Sequence, residues 1–350
     1  MAGSNLKKKR VSDRLRKPIL QKKKLTARSR IPSEKRQQGP WLYPALVIAA
    51  FLLGNLTGYT FGDRQSQNNP EELQPIVTAP EASVSDKNGF DIAAVMQQVN
   101  PSEGFNLPVR YGDIGPRLIE AGAIEYISFA AVFENAGEPL TSSQIEILQK
   151  GSVEKIVITP ENAHFLLNFF WAVGLANKNK ILTEGPMVQR SEGKIENFAS
   201  TGGWTLGAKP VTELYASLDL IPLTPEQQAR VEEVASGVYR PCCNNPTLFP
   251  DCNHGMAMLG LLELLASQDA SVDEMFEAAK YMNAYWFPQQ ALETAIFLKS
   301  EKNQDFTQAE GRFLAGREIF SGTGFANVHN TLQANGLLQT VPGGANGCSA

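Results

Sequence analysis

Three cysteines and one histidine lie within thirteen residues and are the strongest candidates for chemistry in this 350-residue chain. They are Cys242, Cys243, Cys252 and His254, and the rest of the chain contains only one more cysteine and two more histidines. Thiolates and imidazoles bind soft and borderline metal ions, and thiols also form disulfides or act as nucleophiles. The segment therefore predicts a metal site, a disulfide or a reactive thiol.

A metal site is the first interpretation of this segment. Three thiolates and an imidazole form a Cys3His set, which tetrahedral Zn²⁺ binds at about 2.3 Å from sulfur and about 2.0–2.1 Å from nitrogen. Cu(I) also suits soft thiolates. The spacing is unusual, because zinc sites generally offer Cys-x2-Cys pairs and here two cysteines are adjacent. We predict Zn or Cu as the metal, with Cys242, Cys243, Cys252 and His254 as its ligands.

A disulfide is the second interpretation, since cysteines of exported proteins are commonly bridged. Adjacent Cys242 and Cys243 are poorly placed to bond to each other. A bridge from either of them to Cys252 would close a loop of about ten residues, worth about 2–3 kcal/mol. Cys348 could pair with Cys242 or supply a fourth sulfur. A purely redox role is a third possibility, without a Cys-x-x-Cys motif to support it.

The position of the cluster at the start of a helix also matters. Residues 252–266 are apolar nearly all round, which predicts a buried helix. Asp251 is a favourable N-cap residue and would place Cys252 and His254 in the first turn. The positive end of the helix dipole should then lower the pKa of the Cys252 thiol, while the charge of Asp251 opposes that effect.

Residues 38–62 predict a single membrane span. No charged residue lies between Arg36 and Asp63, and about twenty apolar residues in a helix cross the roughly 30 Å hydrocarbon layer. Residues 1–37 carry a net charge of +12 and the remainder −16. Basic flanks stay in the cytoplasm, so we predict a signal anchor in the plasma membrane with a cytoplasmic N-terminus and an extracytoplasmic C-terminal domain. A cleaved signal peptide is the alternative, but it usually has a shorter basic region and a shorter apolar core.

The N-terminal segments also suggest partners. The basic tail should contact anionic lipid headgroups of the bilayer, and nucleic acid is a less favoured partner because the tail has no aromatic residues for stacking. Gly54, Gly58 and Gly62 recur at four-residue spacing, which permits close approach of two helices and predicts a homodimer.

The remainder of the chain is organised as a linker (63–88), a domain (89–340) and a glycine-rich flexible tail (341–350). The domain is predicted to be mainly α-helical with at most a small sheet. Short, ambiguous strand signals lie at residues 126–133 and 155–158. A further helix should follow Thr159 and Pro160. Four more helix starts are predicted where Ser or Thr precedes Glu or Gln by three residues: Thr141, Thr224, Ser271 and Thr307.

Other residues favour structural roles. Glu263, among leucines, is expected on a narrow solvated face of its helix, and His164 and His329 are expected in the core or at its boundary. Trp204, in a glycine-rich loop, is expected to be a buried anchor. No P-loop, Gly-x-Gly-x-x-Gly after a strand, His-Glu-x-x-His or Gly-x-Ser-x-Gly motif occurs. The sequence therefore predicts no particular reaction.

The order Pro-Cys-Cys, an Asn/Pro-rich spacer and Asp-Cys-Asn-His-Gly, from Pro241 to about residue 277, resembles a group of membrane-anchored prokaryotic proteins. Residues 168–177 and 200–206 belong to the same pattern. The cluster is more weakly similar to PCYCGC-motif lipoproteins, although the Cys-Tyr-Cys-Gly-Cys run itself is absent. That resemblance implies an exported protein whose cluster residues are possible metal ligands, and neither resemblance implies a reaction.

Together these features predict a membrane-anchored extracytoplasmic protein that binds a soft transition metal for sensing, storage or delivery. The alternative is a disulfide-stabilised extracytoplasmic interaction domain or envelope scaffold without a metal. Enzymatic activity is left open by the sequence.

Overall fold

The computed structural model of the chain describes residues 89–341. The predicted basic tail (1–37), membrane span (38–62) and linker (63–88) lie outside the described residues, as do Cys348 and all but the first residue of the predicted C-terminal tail. No helix within residues 89–341 is both long enough and apolar enough to cross a membrane.

The described chain is mainly helical with a two-stranded sheet near its start, as the sequence predicts. Two short 3₁₀ helices, Ile195–Asn197 and Phe306–Gln308, interrupt the α-helices. In chain order, the elements are α1 (Ile92–Val99), β1 (Phe105–Gly112), α2 (Ile114–Glu120), α3 (Tyr126–Asn135), α4 (Ser142–Lys150), β2 (Ser152–Ile158), α5 (Ala163–Ala176), α6 (Lys180–Thr183), α7 (Pro186–Arg190), α8 (Ala199–Gly202), α9 (Val211–Leu214), α10 (Pro225–Gly237), α11 (Asn253–Ser267), α12 (Val272–Trp286), α13 (Pro288–Lys302), α14 (Gly311–Leu314), α15 (Arg317–Phe320) and α16 (Gly322–Ala334).

Strands β1 and β2 pair antiparallel, and β1 turns Leu107, Val109 and Tyr111 into the core. Of the two strand signals, residues 155–158 lie in β2, but residues 126–133 are helical and form most of α3. The strand alternative was wrong there because the Glu125 side chain caps the first turn of α3. The register pairs Phe105 with Ile158, Asn106 with Val157, Arg110 with Lys155 and Gly112 with Ser152.

Side-chain capping explains where several helices begin. Thr141, Thr224 and Ser271 each form the predicted capping box with the residue three positions later, which satisfies backbone N–H groups that have no partner within the helix. The prediction at Thr307 was wrong, because Asp305 forms the box with Gln308 at the start of a 3₁₀ helix.

The centre of the domain is a close crossing of α5 and α11. Residues 165–176 of α5 and 254–266 of α11 are buried throughout. A Cβ atom at Gly174 would lie 2.1 Å from the carbonyl oxygen of Met256, and one at Gly260 would lie 2.5 Å from that of Phe170. Only glycine fits at these positions, so backbone contacts fix α11, whose first residue follows Cys252.

We expect the Gly174→Ala substitution to destabilise the domain by about 3 kcal/mol, the upper end of the usual cost of overpacking, because the added methyl group meets backbone rather than a flexible side chain. The measurement is the free energy of unfolding in urea. Ser300→Ala, on the exposed part of α13, is the control and should change that energy by less than about 0.5 kcal/mol. Equal stability of both variants would contradict the crossing.

Candidate metal centre

The cysteine loop, defined as residues 238–252, connects α10 to α11. At the N-terminal end of the loop, the Tyr239 amide donates a hydrogen bond to the Ala315 carbonyl (2.8 Å). The loop then folds back on itself, and the Thr247 amide donates to the Val238 carbonyl (2.8 Å). The Asn283 side chain donates to the Tyr239 carbonyl oxygen (3.0 Å). The loop is therefore bonded to two other parts of the domain as well as to itself.

The cysteine loop brings three sulfur atoms together. The Sγ atoms of Cys242, Cys243 and Cys252 all lie within 4.8 Å of one another, and all three thiols are free. Cys242 is exposed, whereas Cys243 and Cys252 are half-buried. Three sulfurs bound to one ion at about 2.3 Å would be about 4 Å apart. The observed spacing is therefore compatible with a shared metal ion.

His254, the fourth predicted ligand, is not in this group of three. Its ring is buried and packs against Phe287 (4.5 Å between ring centres) and Trp286 (5.7 Å). Burial lowers the pKa of the imidazole to about 4, so the ring is neutral at pH 7. Its role as a metal ligand stays a prediction.

The tautomer of His254 follows from its hydrogen bonds. The Asn253 Oδ1 atom accepts from the His254 backbone amide and lies 2.9 Å from the ring Nδ1. Because Oδ1 only accepts, Nδ1 must carry the proton, which leaves a lone pair on Nε2. Nε2 is buried and has no hydrogen-bond partner among the described residues. A neutral imidazole oriented in this way is the form in which histidine binds metals.

Cys252, rather than Asp251, is the N-cap of α11, so the predicted cap was wrong by one residue. The Cys252 Sγ atom accepts from the Gly255 amide at 3.4 Å. The Asp251 carboxylate instead accepts from the Arg240 Nη2 atom (2.8 Å) and the Asn245 Nδ2 atom (2.7 Å). Both carboxylate oxygens of Asp251 therefore accept from side chains of the cysteine loop, and the Cys252 sulfur caps the first turn of α11 instead.

The three thiols have divergent acidities. Hydrogen bonds from Cys242 and Cys243, followed by the charge of Arg240, lower the pKa of Cys252 against the opposing effect of burial. Donation to the other two sulfurs raises the pKa of Cys242, and the side of this exposed residue that faces the protein adds a smaller desolvation effect. At Cys243, a hydrogen bond with Cys242 lowers the pKa, but donation to Cys252 and burial outweigh it. The lowered pKa of Cys252 is the predicted direction, although the neighbouring thiols contribute more than the helix does.

Arg240 is the residue of the candidate site that the sequence interpretation missed. Its side chain is completely buried, and its Nε atom donates to the Cys252 Sγ atom at 3.2 Å. Its guanidinium lies against the Gly255 backbone, where an added Cβ would be 2.7 Å from Cζ. The Nη1 atom has no hydrogen-bond partner among the described residues. The only sequence signal was a single basic residue directly before Pro-Cys-Cys.

The start of α16 holds the middle of the cysteine loop. The Gly322 amide donates to the Cys243 carbonyl at 2.7 Å, and the Thr323 amide donates to the Asn244 Oδ1 atom at 2.8 Å. These are amides of the first helical turn, which have no acceptor inside the helix. Cys243 is therefore fixed by α16, whereas Cys252 is fixed by α11.

A buried pair of tryptophans connects the cysteine loop to α5. The Ser200 amide donates to the Asp251 carbonyl (3.0 Å), and the Trp171 Nε1 atom donates to the Ser200 carbonyl (2.7 Å). Trp204 packs edge-on against Trp171 and donates to the Ala123 carbonyl (3.0 Å). Trp204 is thus a buried anchor, as predicted, and the segment around it contacts the residue that precedes Cys252.

The remaining candidates lie apart from the sulfurs. His164 pairs with Glu138 (3.2 Å) and His329 with Glu293 (2.8 Å), both through Nδ1. The expectation of a solvated Glu263 was wrong, because its side chain is 0 % exposed in α11. Burial raises the pKa of this carboxyl well above its usual value of 4.5, although hydrogen bonds from Asn177 and Asn179 oppose the shift.

Comparison with known proteins adds no assignment: no protein-family model, no curated protein and no solved structure matches the chain. The resemblances to membrane-anchored prokaryotic proteins and to PCYCGC-motif lipoproteins stay expectations. Any function for the site therefore comes from the geometry of the three cysteines and their neighbours.

Proposed function

We propose that the chain binds one soft transition-metal ion, Zn²⁺ or Cu(I), through Cys242, Cys243 and Cys252, and serves in sensing, storage or delivery of that metal. The observation that carries the proposal is the mutual approach of three free sulfurs within 4.8 Å. Thiolate ligands favour these ions over hard cations such as Mg²⁺ and Ca²⁺, which prefer oxygen ligands. In this proposal residues 38–62 anchor the protein in the plasma membrane, and the metal site lies outside the cytoplasm.

The fixed charges beside the sulfurs leave no net charge that would repel a cation. Arg240 forms an ion pair with Asp251 (2.8 Å), so these two charges offset each other. Thiolates gathered at this separation repel one another, and a metal ion is the species that balances several of them at once. The Arg240 Nε donor then supports one of the sulfurs, in the way that outer hydrogen bonds commonly support metal ligands.

His254 is the proposed fourth ligand. Its Nδ1 atom is held by Asn253, and its Nε2 atom is buried and keeps an unused lone pair among the described residues. A Cys3His set completes the tetrahedral coordination that Zn²⁺ prefers. A three-coordinate thiolate site without His254 would suit Cu(I) instead.

The test is the metal content and free-thiol count of the purified full-length protein. We expect one equivalent of Zn or Cu per chain with the three thiols unbridged, and loss of that metal in Cys252→Ser. The His254→Gln variant tests the fourth ligand: weaker metal binding indicates four protein ligands, and unchanged binding indicates three. His164→Gln, which replaces a histidine apart from the sulfurs, is the matched control. Unchanged metal content in Cys242→Ser, Cys243→Ser and Cys252→Ser would refute the proposal.

A structural disulfide is the second candidate, and the same proximity favours it. A sulfur–sulfur bond is about 2.0 Å long, so Cys252 could reach Cys242 or Cys243 through movement of about 3 Å or less. The domain would then be a stabilised interaction or envelope-scaffold module. Mass spectrometry under non-reducing conditions that finds a bridge, in protein without bound metal, would support this candidate over the metal site.

A further inference from the structure

We infer that the metal enters and leaves the site at Cys242, by exchange of its thiolate for the thiol of an acceptor. This inference rests on the proposed metal site and specifies how that site would work. The acceptor is identified only by its chemistry: a soft sulfur donor, either a cysteine of a partner protein or a small cellular thiol.

Cys252 is the most firmly held of the three ligands. Its sulfur accepts hydrogen bonds from Arg240 (3.2 Å) and from the Gly255 amide (3.4 Å), and its backbone begins α11. The crossing at Gly174 and Gly260 fixes α11 against α5. This sulfur therefore keeps its position whether or not the other ligands move.

Cys243 is held through its backbone. Its amide donates to the Arg240 carbonyl (3.3 Å), and its carbonyl accepts from the Gly322 amide (2.7 Å). The residue is also half-buried. Movement of its backbone away from the cluster would require the cysteine loop to separate from α16.

Cys242 differs from Cys243 and Cys252 both in its exposure to solvent and in the hydrogen bonding of its backbone. It is exposed, and its backbone amide and carbonyl make no hydrogen bond to any other residue in the range 89–341. It lies in a turn between Pro241 and Cys243. Its sulfur can therefore move out of the cluster without breaking a hydrogen bond of the main chain, and solvent reaches the metal from that side.

The exchange involves no change in oxidation state. The acceptor thiol loses its proton and forms a bond to the metal as the bond between the metal and the Cys242 sulfur breaks, and the proton ends on Cys242. Cys243 and Cys252 hold the metal during this step. When further acceptor thiols replace the remaining ligands in the same way, the ion is transferred to the acceptor. A chelator with only oxygen donors binds a soft ion more weakly and is a poorer acceptor.

The experiment measures zinc release from the Zn²⁺-loaded full-length protein as the thiol concentration rises. One arm uses reduced glutathione as the small thiol, a second uses a synthetic peptide with a Cys-x2-Cys pair as the protein-type thiol, and a third uses citrate as an oxygen chelator. We expect the rate to increase in proportion to thiol concentration, and the faster of the two thiols identifies the kind of acceptor. Citrate should leave the rate unchanged.

The variants assign the step to Cys242. In Cys242→Ser, loaded with zinc through the other ligands, release should lose its dependence on thiol concentration, whereas Cys243→Ser should keep it. Alkylation of the loaded wild-type protein provides a second measurement that does not depend on variant folding, because N-ethylmaleimide should label Cys242 before the other two cysteines.

Three results would overturn the inference. They are a rate of zinc release from wild type that does not depend on thiol concentration, an equal dependence of that rate on thiol concentration in Cys242→Ser and Cys243→Ser, or labelling of Cys243 or Cys252 before Cys242. Failure of the metal proposal is distinct from these results, since a chain that retains no zinc at the start of the experiment has no bound metal to exchange.

Discussion

Replacing Arg240 by methionine should lower the free energy of unfolding by about 3–5 kcal/mol, the usual cost of removing one member of a buried ion pair. The guanidinium is fully buried and bonds at once to Cys252, Asp251 and the Phe249 carbonyl. Methionine fills a similar volume but leaves a carboxylate that is only 24 % exposed without its charged partner. The measurement is urea denaturation of the metal-free, reduced protein.

Two further variants make the Arg240 prediction specific. Arg240→Lys keeps the charge but cannot bond the sulfur and the carboxylate with one planar group. The stability of this variant should therefore fall between that of the wild type and that of Arg240→Met. Arg317→Met replaces an exposed arginine of α15 and should change the unfolding energy by less than about 0.5 kcal/mol. A stable Arg240→Met variant would mean that the guanidinium does not hold the cysteine loop.

The second large effect is a dependence of stability on pH that originates at Glu263. Below about pH 4.5, the usual pKa of this group, the carboxyl is protonated in both the folded and the unfolded chain. Above that pH the unfolded chain releases the proton, while the folded chain retains it because burial raises the pKa. Folding then binds a proton, so stability falls by up to about 1.4 kcal/mol per pH unit until the pH passes the pKa of the folded state.

Glu263→Gln removes this effect because the amide is neutral at every pH. We expect the variant to be about as stable as the wild type at pH 4 and clearly more stable at pH 8, with the difference growing between these values. Urea denaturation at a series of pH values measures it. Glu134→Gln, an exposed substitution in α3, is the control and should follow the wild type. Parallel curves for Glu263→Gln and wild type would contradict a protonated buried carboxyl.

Local patterns predicted much of the fold. Three of four capping boxes mark real helix starts, because the interaction involves residues only three positions apart. The buried character of α11 also follows from its own sequence, since apolar residues occupy nearly all of its faces. Strand β1 was missed although Leu107, Val109 and Tyr111 alternate, because Pro108 and Arg110 stand between them and a period of two over so few residues is a weak signal.

The candidate site was predictable as a set of residue types but not as a geometry. Proximity in sequence already suggested that the three cysteines could meet. Arg240 could not be recognised, because its partners Cys252 and Asp251 approach it only when the cysteine loop folds back onto the start of α11. Glu263 was misjudged for a related reason: the residues that surround it, including Asn177 (3.0 Å), come from a distant segment.

The glycine crossing of α5 and α11 has a consequence for which ions the site could accommodate. Backbone lies against backbone at Gly174 and Gly260, so α11 cannot slide or rotate to suit a larger or smaller ion. With the proposed metal bound, Cys252 would be the ligand of fixed position, and any adjustment of bond length or coordination number would come from the Cys242 side. Such a centre would tolerate several soft ions of different radius, and each ion would be bound by the Cys252 sulfur from the same direction. Gly174 and Gly260, which lie away from the sulfurs, would set that direction.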